Sequence, residues 1–164
     1  RRCKKKFLEK GGCALLVVKP GWFESAGRIS VCISPLLCKS TFDFGKRQGE
    51  PPFGVQAAES LHVHSSVAEK FLPIAQRRLN ESHVILHGCP RTCAILPDIL
   101  PATEEDYGKE YLDYEMSVKI VDSLDEAIEH INRYNTGHSE AIVTHDYFAA
   151  QKFLDLVDAA AVYV

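Results

Sequence analysis

The last fifty residues restrict the fold most, because short apolar runs alternate there with stretches of helical period. Met116, Val118 and Ile120 are separated by single residues, and this period of two predicts a strand. Further strands are predicted at 141–144 and at 159–164. The run at 159–164 is apolar throughout, which is typical of a strand buried on both faces.

Two helices are predicted between these strands. Ser123 and Glu126 have the spacing of a capping box, in which two side chains satisfy free amides at a helix start. Asp146 is expected to cap the second helix, and Gly137 to end the first. Strands that are joined through single helices run parallel. The predicted fold class is therefore α/β, with a partial doubly wound parallel sheet.

An earlier helix is predicted by another capping box, Ser66 with Glu69, which is followed by apolar residues at helical spacing. Pro73 falls inside this helix, where it is expected to kink the helix or shift its start. A short strand is expected at 84–86, before a loop that contains several prolines.

The first 54 residues differ in character from the rest. Glycine and proline interrupt them often, and only isolated short strands are indicated, at 14–18 and 29–33. They hold 11 basic and 4 acidic side chains, whereas residues 55–164 hold 8 and 18. Because aromatic residues are not interleaved with the basic ones, we expect no nucleic-acid binding. The chain is thus predicted to combine an irregular basic segment, 1–54, with a partial α/β domain, 55–164.

The cysteines fit no familiar disulfide framework. Cys89 and Cys93 are separated by three residues, one more than in zinc knuckles and redox pairs. His83 and His87 lie nearby in the sequence, so a metal site is a minor alternative. We predict free thiols and no metal.

Six sequence motifs carry a family resemblance. They are Ala-Thr-Glu-Glu-Asp-Tyr at 102–107, Glu-Tyr-Leu-Asp at 110–113, Val-Lys-Ile-Val at 118–121, Ser-Leu-Asp-Glu-Ala-Ile at 123–128, Gly-His-Ser-Glu-Ala-Ile at 137–142 and Ala-Val-Tyr-Val at 161–164. Together they resemble γ-glutamyl phosphate reductase (glutamate-5-semialdehyde dehydrogenase), within the aldehyde dehydrogenase superfamily. The resemblance runs from about Val55 to Val164. It implies that 55–164 is part of an aldehyde-dehydrogenase-like catalytic domain and that 1–54 is not family-derived.

The resemblance implies oxidoreduction through covalent catalysis. In this family a cysteine thiolate attacks γ-glutamyl phosphate and expels phosphate, and hydride from NADPH then reduces the thioester to glutamate-5-semialdehyde, a precursor of L-proline. NADP is therefore the implied cofactor, and γ-glutamyl phosphate the implied small-molecule substrate. We expect no membrane contact, because no apolar run is long enough to span a bilayer. A cytoplasmic location is the default expectation for a chain without a convincing targeting signal.

The family's nucleophile is missing at its aligned position. The family segment Cys-Asn-Ala-(Leu or Met)-Glu-Thr-Leu-Leu-Val-His aligns with 55–64, which places Val55 where the cysteine is expected. Valine has no thiol to form the thioester, so the chain is expected to be an incomplete, inactive copy. An alternative alignment takes Val31 and Cys32 as the family's Val-Cys pair and treats 33–54 as an insertion. Cys32 is the candidate catalytic residue in that alignment alone.

The resemblance also implies two cofactor-binding residues. Glu110 matches the superfamily glutamate that hydrogen-bonds the ribose of the nicotinamide nucleotide, and Leu112 stands where an apolar residue packs nearby. The alternative is that Glu110 is one of several surface carboxylates in a solvated loop. The family's cofactor-binding region and the Asn-Ala-Ser-Thr-Arg-Phe segment expected after Val164 are not found, so the NADPH pocket is expected to be incomplete.

Two other classes of function stay open. One is a non-catalytic remnant of the enzyme. The other is a partner-binding α/β fragment, since exposed sheet edges favour association. A homo-oligomer is one form that such association takes.

Overall fold

The computed structural model describes residues 29–33, 58–81 and 83–164. A 3₁₀ turn at Glu105–Tyr107 precedes the fifth strand. In chain order the strands and helices are β1 (Ile29–Ile33), β2 (Ala58–His64), α1 (Ser65–Asn80), β3 (Ile85–Gly88), α2 (Pro90–Ile95), β4 (Leu100–Pro101), β5 (Glu115–Val121), α3 (Leu124–Tyr134), β6 (Ser139–Val143), α4 (Tyr147–Leu156) and β7 (Ala161–Tyr163).

All neighbouring strands run parallel in one sheet of order β4-β3-β5-β2-β1-β6-β7. The predicted α/β class is confirmed. Strands β5 and β6 follow each other along the chain, yet β2 and β1 lie between them in the sheet. The chain therefore builds the half of the sheet that ends at β4, returns to β5, and crosses through α3 to the other half.

The helices pack in two pairs on opposite faces of the sheet. In β5, Met116, Val118 and Ile120 join the apolar cluster that contains α1 and the end of α2, whereas Val121 joins the cluster that contains α3 and α4. Successive side chains of a strand point to opposite faces, so this division follows from the period of two in β5. The sheet is covered on both sides, as a parallel sheet requires.

The helix starts in the second half agree with their predicted caps. The N–H of Glu126 donates to Ser123 Oγ at 3.1 Å, and the Asp146 carboxylate accepts the N–H groups of Phe148 and Ala149. The return hydrogen bond of the predicted capping box is shifted by one residue. Glu126 accepts the N–H of Asp122 instead of the N–H of Ser123. Both caps act within four residues, which is why the sequence alone predicts them.

The start of α1 differs from the prediction. The N-cap is His64, the last residue of β2, and its Nδ1 accepts the N–H of Ser66 at 3.2 Å. The capping box predicted at Ser66 and Glu69 is therefore wrong, because the strand runs directly into the helix and leaves no free residue before it. Pro73 lies within the helix, which continues on both sides of it.

The last strand is shorter and more exposed than its apolar run predicts. Strand β7 comprises Ala161–Tyr163 and forms an edge of the sheet, next to β6. Ala161 and Val162 are buried, but Tyr163 is 37% exposed. An edge strand lacks a neighbour on one side, so a continuous apolar run does not by itself establish a central position.

Part of the predicted irregular segment lies inside the sheet. Strand β1, indicated at 29–33, pairs with β2 on one side and β6 on the other. The strand indicated at 14–18 and the residue Val55 lie outside the described residues. The division of the chain at residue 54 stays a prediction. No helix in the described part is long and apolar enough to cross a bilayer.

Candidate active site

The strand that follows the predicted nucleophile position and the loop of the predicted cofactor-binding residues meet at the amino ends of two neighbouring strands. Glu110 and Leu112 lie in the loop between the 3₁₀ turn and β5, at the amino end of that strand. Strand β2 begins at Ala58, three residues after Val55, and pairs with β5 from Ser60 onwards. Because β2 and β5 are parallel neighbours, their amino ends lie side by side.

A buried carboxylate joins the two segments directly. Glu59 of β2 is 5% exposed, and its Oε2 and Oε1 accept the N–H groups of Tyr111 at 3.2 Å and Leu112 at 3.1 Å. Sequence reasoning assigned Glu59 no role. The signal available to it was the single acidic residue in the segment 58–64, since a carboxylate that becomes buried requires hydrogen-bonding partners.

The loop has an unusual backbone at the point where Glu59 binds it. Leu112 has φ of +52°, which few residues with side chains adopt. This conformation allows two successive N–H groups to converge on one anion. The side chain of Leu112 is 52% exposed, and Glu110 is partly exposed. The predicted cofactor-binding residues are thus at least partly exposed, on a loop whose backbone is hydrogen-bonded to the buried Glu59 carboxylate.

The ring of Tyr111 is held from its other side. It stacks on His87 with ring centroids 5.2 Å apart and an interplanar angle of 23°, and its hydroxyl donates to Asp106 Oδ1 at 3.2 Å. His87 Nε2 lies 2.8 Å from Glu115 Oε2. Burial would raise the pKa of Asp106, but hydrogen bonds from the N–H and hydroxyl of Thr103 outweigh it and lower that pKa. These hydrogen bonds therefore favour the ionised form of Asp106 beside the loop.

A second polar cluster lies under α3, on the opposite face of the sheet from α1. His62 of β2 and His130 of α3 are buried, and their ring nitrogens lie 2.9 Å apart. Tyr107 packs edge-on against His130, and burial raises the pKa of Tyr107 to about 12. Tyr134 donates to Glu104 at the rim. The cluster joins α3 to the turn before the loop of Glu110.

The alternative nucleophile lies in the interior of the sheet. Cys32 is the fourth residue of β1, and its backbone is in register with His62 of β2 and Ile142 of β6. The structure thus brings Glu110 and Leu112 to the amino end of β5 and places Cys32 within a strand.

Cys89 and Cys93 are free thiols that lie around the start of α2. Burial would raise the pKa of the Cys89 thiol, but hydrogen bonds with the N–H of Ile120 and the side chain of Thr92 bring it below its usual value. Among the described residues, no group of three His, Cys, Asp or Glu side chains is arranged to hold a metal ion.

Comparison with known proteins identifies related sequences. No family model matches the chain. The chain is 59% identical over 113 residues to γ-glutamyl phosphate reductase of Dictyoglomus turgidum, which covers 69% of this chain and 27% of the relative. It is 46% identical over 156 residues to γ-glutamyl phosphate reductase of Enterococcus faecalis, which covers 93% of this chain and 33% of the relative. The second alignment extends into the first 54 residues.

Solved structures agree with these relatives. The crystal structure of γ-glutamyl phosphate reductase from Thermotoga maritima matches 85% of this chain and 34% of its own, with 38% identity and a TM-score of 0.73. An acetylating aldehyde dehydrogenase from Geobacillus thermoglucosidasius shares the fold, at a TM-score of 0.54 and 16% identity. The chain spans about a third or less of the length of these curated relatives. The resemblance is thereby confirmed, and the chain belongs to the γ-glutamyl phosphate reductase family.

Proposed function

We propose that this chain is part of the catalytic domain of an NADPH-dependent γ-glutamyl phosphate reductase, which forms glutamate-5-semialdehyde in L-proline biosynthesis. The observation that carries the proposal is the contact of Glu59 with the loop of Glu110 and Leu112. This contact brings the ribose-binding motif beside the start of β2. In the family alignment that strand follows the nucleophile, and its start lies next to the loop of Glu110.

Glu110 and Leu112 fit the ribose part of a nicotinamide nucleotide. Glu110 is a partly exposed residue, and a carboxylate can accept hydrogen bonds from ribose hydroxyl groups. Leu112 exposes 52% of its surface and offers an apolar contact next to it. When bound, NADPH supplies the hydride. The role of Glu110 is to orient the ribose and thereby hold the nucleotide in position.

We further propose that the chain does not complete this reaction by itself, because Val55 has no thiol with which to displace phosphate. The position of Cys32 supports the assignment to Val55. Cys32 lies within β1 and pairs on both sides, whereas the aligned segment leads directly into β2. We also propose that the chain is located in the cytoplasm. A further proposal is that it self-associates, which light scattering would measure.

Two chimaeras test this function. In the Enterococcus faecalis relative, the matching segment is replaced either by residues 58–164 of this chain or by residues 55–164. The first chimaera keeps the relative's own residues at the nucleophile position, whereas the second carries Val55 there. We expect phosphate-dependent reduction of NADP⁺ by glutamate-5-semialdehyde with the first and none with the second. In the first, Glu110→Gln should raise KM for the nucleotide about tenfold with less effect on kcat.

Inactivity of the first chimaera, despite a normal melting transition, would contradict the proposed function. The chain itself provides the test of the alternative nucleophile. We expect no turnover from it. Turnover that Cys32→Ala abolishes would overturn the assignment of the nucleophile position to Val55.

A further inference from the structure

Glu59 has a buried side chain, and neither the nucleophile alignment nor the ribose-binding motif assigns it a role. It lies in β2 between the partly buried Ala58 and the buried Ser60, at 5% exposure, and a carboxylate there is costly unless it accepts hydrogen bonds. Its two oxygens each accept a different backbone N–H, from Tyr111 and from Leu112. Both donors belong to the loop that precedes β5.

These two hydrogen bonds select the backbone conformation of the loop. Leu112 has φ of +52°, a value that is unfavourable for a leucine without compensation. Hydrogen bonds to a charged acceptor are stronger than those to a neutral one, so the carboxylate can supply that compensation. Glu110 immediately precedes the two bound amides. Its Cα–Cβ direction is therefore determined by the peptide that Glu59 holds.

The side chain of Tyr111 restricts the loop in the same sense. Its ring stacks on His87 and its hydroxyl donates to Asp106, so the residue after Glu110 is fixed through both backbone and side chain. The Glu110 carboxylate, by contrast, projects from a partly exposed residue. The loop thus combines a backbone that is hydrogen-bonded to Glu59 with a partly exposed Glu110.

We propose that Glu59 is a positioning residue, which sets the backbone at 110–112 and through it the direction of the Glu110 carboxylate toward a nucleotide ribose. This inference rests on the proposed function, because it takes Glu110 as the group that binds the ribose. Glu59 itself is buried beneath the loop and acts through Glu110. The alternative is that Glu59 only anchors the entry to β5.

The first measurement concerns the loop alone. In the full chain, amide hydrogen exchange is followed by NMR for wild type, Glu59→Gln and Glu59→Asp, with Glu69→Gln as an exposed control. The N–H groups of Tyr111 and Leu112 should be protected in the wild type. Glu59→Gln should reduce their protection about tenfold, because a neutral acceptor binds more weakly than a charged one. Unprotected amides in the wild type, or unchanged protection in Glu59→Gln, would overturn the inference without affecting the proposed function.

The second measurement concerns the nucleotide. NADPH is titrated into the first chimaera, in which the relative supplies the rest of the enzyme, and into its Glu59→Gln, Glu59→Asp and Glu110→Gln forms, and the dissociation constant is read from nucleotide fluorescence. We expect Glu59→Gln and Glu110→Gln each to weaken binding about fivefold to tenfold, and the double variant to weaken it no further. A purely structural role of Glu59 predicts lost amide protection with an unchanged dissociation constant, and that result would refute the positioning role.

The two proposals fail in different ways. If the first chimaera does not bind NADPH at millimolar concentration although the loop amides of the chain are protected, the nucleotide-binding role of Glu110 fails, and the positioning role of Glu59 fails with it. If Glu59→Gln does not fold, as judged by lost protection in β6, then Glu59→Asp decides. Asp retains the charge with a shorter reach, so it should show intermediate losses in both measurements.

Discussion

The guanidinium group of Arg91 forms a two-point ion pair with the carboxylate of Asp122, with nitrogen–oxygen distances of 2.8 and 2.9 Å. Arg91 belongs to the first turn of α2, and Asp122 follows β5. The pair lies at the carboxyl end of β5, whereas Glu110 lies at its amino end. Both side chains are at least half exposed, so the pair contributes little to stability despite its geometry.

The ion pair should be visible in the titration of Asp122. The hydrogen bond from Arg91 is the main cause that lowers the pKa of Asp122 from 3.8 to about 2. Arg91→Gln should return this pKa toward 3.8, as measured from the side-chain carboxyl carbon by NMR. Arg78→Gln, which removes a longer exposed contact with Glu81, should leave it unchanged.

The pH dependence has a definite sign. Because the pKa of Asp122 is lower in the folded than in the unfolded chain, its stabilising contribution is present above about pH 3.8 and is lost as the pH falls through 2. Screening by solvent keeps this contribution small. A titration midpoint that is the same with and without Arg91 would contradict the assignment.

The backbone at Leu112 predicts an unusual response to glycine. Leu112→Gly should raise the free energy of unfolding by about 0.5 to 1 kcal/mol, because removal of left-handed strain exceeds the entropic cost of glycine. Leu112→Val should lower it by more than about 1 kcal/mol, since a β-branched residue resists positive φ. Denaturant melts measure both. Leu100, equally exposed but in β4, is the control, and Leu100→Gly should destabilise the chain.

Gly88 ends β3 where a side chain has no room. A Cβ there would lie 2.4 Å from Ile99 Cδ1 and 3.0 Å from Thr92. Gly88→Ala should therefore lower the free energy of unfolding by about 1 to 3 kcal/mol. Adding Ile99→Val, which deletes the clashing methyl group, should recover part of the loss. Gly108→Ala, whose Cβ would meet nothing closer than 3.9 Å, should cost much less, and equal effects would refute the steric cause.

The two predicted capping boxes provide a paired test of local structure. Ser123 caps α3 through the N–H of Glu126, so Ser123→Ala should lower the free energy of unfolding by about 1 kcal/mol. Ser123→Asp should restore most of it. Ser66 lies inside α1 after the His64 cap, and Ser66→Ala should change stability by less than about 0.5 kcal/mol. A larger effect at Ser66 than at Ser123 would contradict both caps.

The features predicted correctly are those that depend on neighbours in the sequence. The caps at Ser123 and Asp146 involve partners within three residues, and the strand around Val118 shows its own period of two. The start of α1 was mispredicted because Ser66 has the local pattern of a cap, whereas His64, two residues earlier, is the residue that caps the helix. Only the path of the chain out of β2 decides between them.

The candidate site could be predicted in part. Glu110 and Leu112 were found through motifs, yet nothing local indicates that Glu59, more than fifty residues earlier, accepts hydrogen bonds from the N–H groups of Tyr111 and Leu112. The motifs place both residues before β5. They do not state which strand lies beside that loop, and the positive φ of Leu112 has no signal in a leucine.

The sequence by itself determined the α/β class, the alternation of elements and the family, because helical and strand periods and short motifs are encoded locally. The tertiary structure decided the order of the strands, the edge position of β7 and the insertion of β2 and β1 between β5 and β6. It also decided that Glu59 meets the loop of Glu110. These are long-range pairings, and their free energy depends on which surfaces become buried together rather than on any one segment.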